Sequence, residues 1–202
     1  MLCIIDYGVI NIGSLKNTLL DINIDFQVKT EPSSLNDFSH AIIPGVGNFK
    51  SAHLQLEKWK PHINTFIKQK KYLLGICLGM QLLFNSSEES GNNSINGLGL
   101  IEGKVKKIPQ KKGYQIPNMG WNNINFKKKH KKLFSEIDKN IDYYFAHSYY
   151  CIPTDKKYVF GSVNYCVDIP AIVVKNNIIG FQFHPEKSYS TGKKLLTNFC
   201  SL

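Results

Sequence analysis

Cys77 sits in Gly75-Ile76-Cys77-Leu78-Gly79, directly after the apolar run Tyr72 to Ile76 and directly before the amphipathic run Leu78 to Phe84. A strand that turns sharply into a helix at a nucleophilic residue forms a nucleophile elbow, which holds the reactive atom exposed at the turn. The flanking glycines suit such a turn, because a Cβ at either position would collide with a neighbouring strand or helix. A cysteine at a helix N-terminus also feels the helix dipole, which favours thiolate over thiol. Taken alone, Cys77 reads equally well as a buried structural cysteine.

A base and a group to orient it occur further along. The run Asn177 to Phe183 reads as a strand and leads into His184-Pro185-Glu186. A histidine at a strand end with a carboxylate two residues on supplies the base and orienter of a nucleophile–base–orienter triad. Pro185 fixes φ between them and stiffens the turn. Without Cys77, this histidine would read as a hydrogen-bonded structural residue.

These groups need elements to hold them. Leu2 to Ile5, Phe26 to Val28, His40 to Ile43 and Tyr72 to Ile76 read as short buried strands. Between them Ser14 to Ile22 is amphipathic at helical spacing, and Leu54 to Gln69 is helical apart from a break or restart at Pro61. This alternation predicts an α/β fold with a largely parallel sheet, helices on both faces and functional loops at the strand C-termini. The second half changes character, with short strands or hairpins expected at Gly97 to Lys107, Trp121 to Phe126, Tyr143 to Ser148, Val159 to Val163, Ala171 to Val174 and Ile178 to Phe183. A helix over Thr191 to Cys200 follows, Ser87 to Asn96 reads as a polar loop, and Lys127 to Lys132 as a solvated turn. No linker separates domains, so residues 1–202 are expected to form one.

Composition narrows the classes. No apolar stretch approaches 18 residues and no secretory signal opens the chain, so a cytoplasmic protein without a membrane span is expected. The five cysteines form no Cys-x-x-Cys pair, which indicates neither a disulfide framework nor a zinc site. The net charge of +10 raises the question of a nucleic-acid partner. All 25 basic residues are lysine, however, and bidentate base and phosphate recognition leans on arginine, so no nucleic acid is expected. Charge of this sign favours steering of an anionic substrate instead.

The stretches Gly75 to Gln81, Pro44-Gly45-Val46-Gly47 and His184-Pro185-Glu186-Lys187 resemble the class I (triad) glutamine amidotransferase family. Asp6-Tyr7-Gly8, Met119-Gly120-Trp121-Asn122 and His147-Ser148-Tyr149-Tyr150 narrow the resemblance to its HisH type, the glutaminase subunit of imidazole glycerol phosphate synthase. It runs from residue 3 to about residue 199 in the family's order. It implies a flavodoxin-like fold and no cofactor. Cys77 would form the glutamyl thioester, His184 would shuttle the proton and Glu186 would hold the imidazole. The amides of Leu78 and Val46 would receive the oxyanion, with the glycines around Val46 letting its peptide flip. Taken alone, Pro44 to Gly47 is an ordinary turn.

The family's glutamine-binding positions map onto Gly47, Gln81, Glu89, His147, Ser148 and Tyr149, although Gln81 also reads as a helix residue facing solvent. Asn11, Met119, Trp121, Asn122, Tyr144 and Lys187 match the surface that meets a HisF-type (β/α)8 cyclase, to which ammonia passes without entering bulk water. From its own residue type, Trp121 reads more readily as core. One stretch departs from the family: Val9-Ile10-Asn11-Ile12-Gly13-Ser14 keeps Asn11 and Ser14, but Ile10 replaces a glycine and Gly13 a side chain. HisH-like paralogues also serve amidation of surface-sugar precursors, so the acceptor of the ammonia stays open, with coverage by the motifs favouring histidine biosynthesis.

Overall fold

The computed structural model describes residues 1–8, 12–90 and 95–202. Val9, Ile10 and Asn11, and with them the expected partner contact of Asn11, lie outside the described residues. The first half alternates strand and helix: β1 (Leu2–Ile5), α1 (Gly13–Asp21), β2 (Phe26–Lys29), β3 (His40–Ile43), α2 (Phe49–Leu56), α3 (Lys60–Lys68), β4 (Tyr72–Ile76) and α4 (Leu78–Leu82). The second half is mostly strands: β5 (Phe84–Ser87), β6 (Ile95–Asn96), β7 (Ile101–Lys107), β8 (Asn118–Asn123), β9 (Asn125–Phe126), β10 (Asp142–His147), β11 (Tyr149–Pro153), β12 (Val159–Tyr165), β13 (Val167–Lys175) and β14 (Ile178–Phe181), followed by α5 (Tyr189–Cys200).

The main sheet runs β2-β1-β3-β4-β14-β13-β12-β9. Its first five strands pair in parallel, and β13, β12 and β9 extend it antiparallel. This is the α/β arrangement expected from the sequence, a largely parallel sheet with an added antiparallel part in the second half. The core strands are apolar on both faces because both are covered. Along β1, Cys3 and Ile5 join the core under α2 and α3 with Phe49, Trp59 and Phe66, while Leu2 and Ile4 join Leu15, Leu195 and Phe199 of α1 and α5. Pro61 stands in the first turn of α3, where its missing N–H costs nothing, which turns the expected break into a helix start.

Two smaller sheets rim the site. β8 pairs antiparallel with β10, and β11-β7-β5-β6 form the other. β11 was not anticipated, and the elbow helix is shorter than Leu78 to Phe84. The carbonyls of Leu82, Leu83 and Phe84 accept N–H groups from residues 98–101, and this tertiary pairing draws the chain out of the helix into β5.

The glycine pair around Cys77 is there for space. A Cβ on Gly75 would lie 2.5 Å from Gly79 O, and one on Gly79 would lie 1.9 Å from Ile43 O, so α4 rests directly on β3 and β4. Gly79→Ala must push helix and strand apart and should cost on the order of 3 kcal/mol or more in urea unfolding. Gly47→Ala, with open space around it but φ of +101°, should cost only about 1 kcal/mol. Equal losses would contradict this packing.

Candidate functional site

β4 ends where β14 ends. The two pair in parallel up to Ile76↔Phe181, and Cys77 N–H donates to Phe181 O at 2.7 Å. Cys77 then adopts φ of +52°, a left-handed conformation that a residue with a Cβ enters only when its surroundings force it. Three residues past β14, the backbone N–H of His184 donates to Tyr144 O of β10 at 2.9 Å. His184 Nδ1 and Glu186 Oε1 are 2.8 Å apart, with both side chains at least nine-tenths buried. That contact occupies Nδ1, so Nε2 is the nitrogen left for Cys77, the neighbour that with Glu186 raises the pKa of His184. Burial alone would disfavour the imidazolium. The bonds to Cys77 and Glu186 and their charges outweigh it and push His184 up to about 10.

The turn that carries His184 is tied to its neighbours. Ser188 Oγ donates to His184 O at 2.6 Å and accepts Tyr144 N–H at 3.1 Å, and Thr18 Oγ1 of α1 donates to Glu186 O at 3.2 Å. Opposite, the Pro44 to Gly47 loop lies against the start of α4. A Cβ on Gly45 would be 2.8 Å from Gly79 N, and Tyr7 Oη donates to Pro44 O at 2.7 Å.

Between these loops opens a cleft of about 370 Å³. It brings together Val46, Gly47, Cys77, Leu78, Gln81, Glu89, His147, Ser148, Tyr149 and His184, with Met119 and Lys187 also in its wall. Glu186 stands behind His184. Glu89 is held at the start of α2, accepting from Phe49 N–H at 2.9 Å and Asn48 Nδ2 at 3.4 Å. Burial raises its pKa and the Phe49 bond opposes the rise. Gln81, open between site and solvent on the sequence alone, is buried, and its Nε2 donates to Tyr149 O at 3.0 Å. The ring of His147 is fully engaged inside the protein. Nδ1 lies 2.9 Å from Tyr149 O, which only accepts, so it carries the proton, and Nε2 lies 3.2 Å from Asn118 Nδ2.

Beside the cleft, the β8–β10 register sets Trp121 against Tyr144 and Asn118 against His147. Asn118 and His147 face inward, whereas Trp121 and Met119 are exposed, at 41% and 65%. This overturns the core reading of Trp121: its strand alternates, and its neighbour Asn118 takes the buried face. Trp121 stacks on Tyr189, itself 73% exposed, at 4.7 Å between centroids, and Lys187 Nζ lies 5.6 Å from the Tyr144 ring centroid. Asn122, half-buried, donates from Nδ2 to Asn118 Oδ1 at 3.1 Å. Tyr189 and Ser188 were not singled out from sequence, since an aromatic and a serine at a helix start carry no periodic signal.

The sequence model of the family Glutamine amidotransferase class-I matches residues 3–201. The chain belongs to that family. It is 42% identical to the "Imidazole glycerol phosphate synthase subunit HisH 2" of Methanococcus maripaludis, over 98% of each chain. It is 40% identical to the "Imidazole glycerol phosphate synthase subunit HisH" of Helicobacter hepaticus, over 98% of this chain and 97% of the relative. The Bacillus subtilis HisH subunit is 38% identical over 100% of this chain and 96% of its own. Among solved structures, "Structure of PurLQS from Thermotoga maritima" superposes with a TM-score of 0.78 at 19% identity, over 99% of this chain and 97% of that one. That likeness speaks for the fold of a class-I amidotransferase.

Among the described residues no cluster of three His, Cys, Asp or Glu side chains could hold a metal ion, and no helix is long and apolar enough to cross a membrane. The two histidines of the cleft are pushed in opposite directions. Burial pushes His147 down to about 4, with the bond to Tyr149 opposing and the charge of His184 adding to the fall. Between pH 6.5 and 4 the unfolded chain takes up a proton at this position that the folded chain refuses, so stability is lost as pH falls through that window. The loss from His147 should reach about 3 kcal/mol by pH 4. Urea unfolding across this range should show a slope that His147→Gln flattens by that amount. An unchanged slope would contradict a neutral, buried His147.

Proposed function

We propose that this chain is the glutaminase subunit of an imidazole glycerol phosphate synthase, with Cys77, His184 and Glu186 as its triad. Cys77 Sγ, its proton already held on His184 Nε2, attacks the side-chain amide carbon of glutamine as a thiolate. The amide oxygen, now anionic, is received by the N–H groups of Leu78, which as the first helical residue has no intrahelical acceptor, and of Val46. His184 returns the proton to the departing ammonia, and water hydrolyses the thioester to glutamate with His184 as base. Glu186 fixes the tautomer through Nδ1. Gly47, Gln81, Glu89, His147, Ser148 and Tyr149 form the glutamine pocket, where the Glu89 carboxylate suits the α-ammonium.

One observation carries the reading: the cleft that contains Cys77 and His184 also contains Met119 and Lys187, each two residues from a member of the exposed Trp121–Tyr189 stack. Ammonia leaving there would enter a partner seated on that patch, shielded from the water that would protonate it. The partner proposed is a HisF-type (β/α)8 cyclase, meeting Asn11, Met119, Trp121, Asn122, Tyr144 and Lys187 in a cytoplasmic heterodimer and using the ammonia in histidine biosynthesis.

Cys77→Ala, assayed with the cyclase, should abolish ammonia release from glutamine while leaving the fold intact. A glutamine-like diazoketone should label Cys77 alone among the cysteines. Retained turnover would sink the triad. Trp121→Ala should weaken the complex by about 2 kcal/mol, roughly thirtyfold in Kd, by titration calorimetry. Glutaminase rates should rise ~10²-fold on adding the cyclase if the Val46 amide is completed only in the complex. Stimulation by the cyclase's nucleotide substrate would separate the histidine pathway from a sugar pathway, where it should have no effect.

A further inference from the structure

Gln182 lies between β14 and His184, is wholly buried, and takes no part in the chemistry described so far. Among the described residues its side chain bonds to two, both in the site. Oε1 is 3.4 Å from Gln81 Nε2, and Nε2 is 3.9 Å from Cys77 Sγ. The amide orientation follows from the neighbours. Tyr149 O can only accept, so the Gln81 atom 3.0 Å away is the nitrogen. The Gln182 atom facing that nitrogen must accept and is the oxygen. The other end of the Gln182 amide, aimed at the sulfur, therefore carries the protons.

Around the sulfur this donor has a task. Besides the imidazole, Cys77 Sγ has Ala146 O at 3.8 Å, a carbonyl that suits a thiol proton. Once the proton has gone to His184 Nε2, the same carbonyl faces negative charge, and a buried thiolate without donors is costly. Gln182 supplies one from a rigid mount: its own N–H is bonded to Ala171 O at 2.9 Å, and the flanking rings of Phe181 and Phe183 stack at 5.0 Å. A leucine would fill this apolar surround without leaving a polar group to satisfy, so the amide is best explained by what it touches.

We infer that Gln182 is a positioning residue for the nucleophile, donating to the Cys77 sulfur as it becomes a thiolate while its Oε1 holds Gln81 in the pocket wall. This deepens the glutaminase reading and rests on it. Gln182→Leu and Gln182→Met each remove the donor at similar volume, and the full chain should be tested with the cyclase present. Alkylation of Cys77 by iodoacetamide at pH 7, followed on its peptide by mass spectrometry, should slow about three- to tenfold. The acid limb of the kcat/KM profile should move to higher pH by roughly half a unit or more, a change that loosened packing would not produce. Should Gln182→Leu fail to fold, Gln182→Met decides. Unchanged alkylation and an unmoved acid limb in a folded variant would overturn the inference while leaving the triad standing. Turnover retained in Cys77→Ala would instead remove the reading on which it rests.

Discussion

At the end of β4 the chain has to leave the sheet within one residue. It does so at Cys77, whose N–H still pairs with Phe181 O while its φ is already +52°. That hydrogen bond sets the level of the elbow against the end of β14, and the sequence distance from Phe181 to His184 then brings the base to the sulfur. A left-handed φ at a residue with a Cβ costs on the order of 1–3 kcal/mol and persists only where the surroundings over-determine it. Here they do, through α4 resting on Ile43 O with no room for a Cβ at Gly79. The strain is supported by parallel strand pairing, and the benefit is a nucleophile lifted out of the sheet toward the cleft.

The same pairing ties the exposed aromatic face to the triad. Tyr144 is the shared member: its carbonyl receives His184 N–H, its N–H reaches Ser188, and its ring packs against Trp121 at 5.7 Å. A second path runs through side chains, from Asn122 to Asn118, to the His147 ring and on to Tyr149 O, which also receives Gln81. The outer face of β8 is therefore joined to the walls of the cleft by contacts with fixed donors and acceptors. With Gln182 joining Gln81 to Cys77, the second path ends at the sulfur.

Much of this was legible in the sequence. The parallel strands announce themselves because both their faces are covered, so β1, β3 and β4 read as unbroken apolar runs. The elbow reads from two glycines that flank Cys77, one in the strand before it and one in the helix after it. What stayed hidden depends on long-range pairing. In the four-stranded sheet β7 falls within an expected strand, but β5 and β11, which flank it, are defined by their register against it. Which face Trp121 occupies is decided by β10, not by its own neighbours. Gln182 and Ser188 carry no motif of their own, and their roles emerge only when residues about 40 and 100 positions away are seen beside them. Of the departures at Ile10 and Gly13 only Gly13 falls within the described residues, where it opens α1.

Everything proposed for the chemistry turns on the charge state of one ring, wedged between a cysteine and a glutamate. Site-resolved NMR of the histidine Cε1–H groups across pH reports it directly. His184 should stay protonated through neutral pH and titrate near 10, and Cys77→Ala should bring its midpoint down, because Cys77 is among the neighbours that raise it. A midpoint near 6.5 in the unmodified chain, or one that does not move when Cys77 is removed, would contradict the pairing of nucleophile and base on which the site is built.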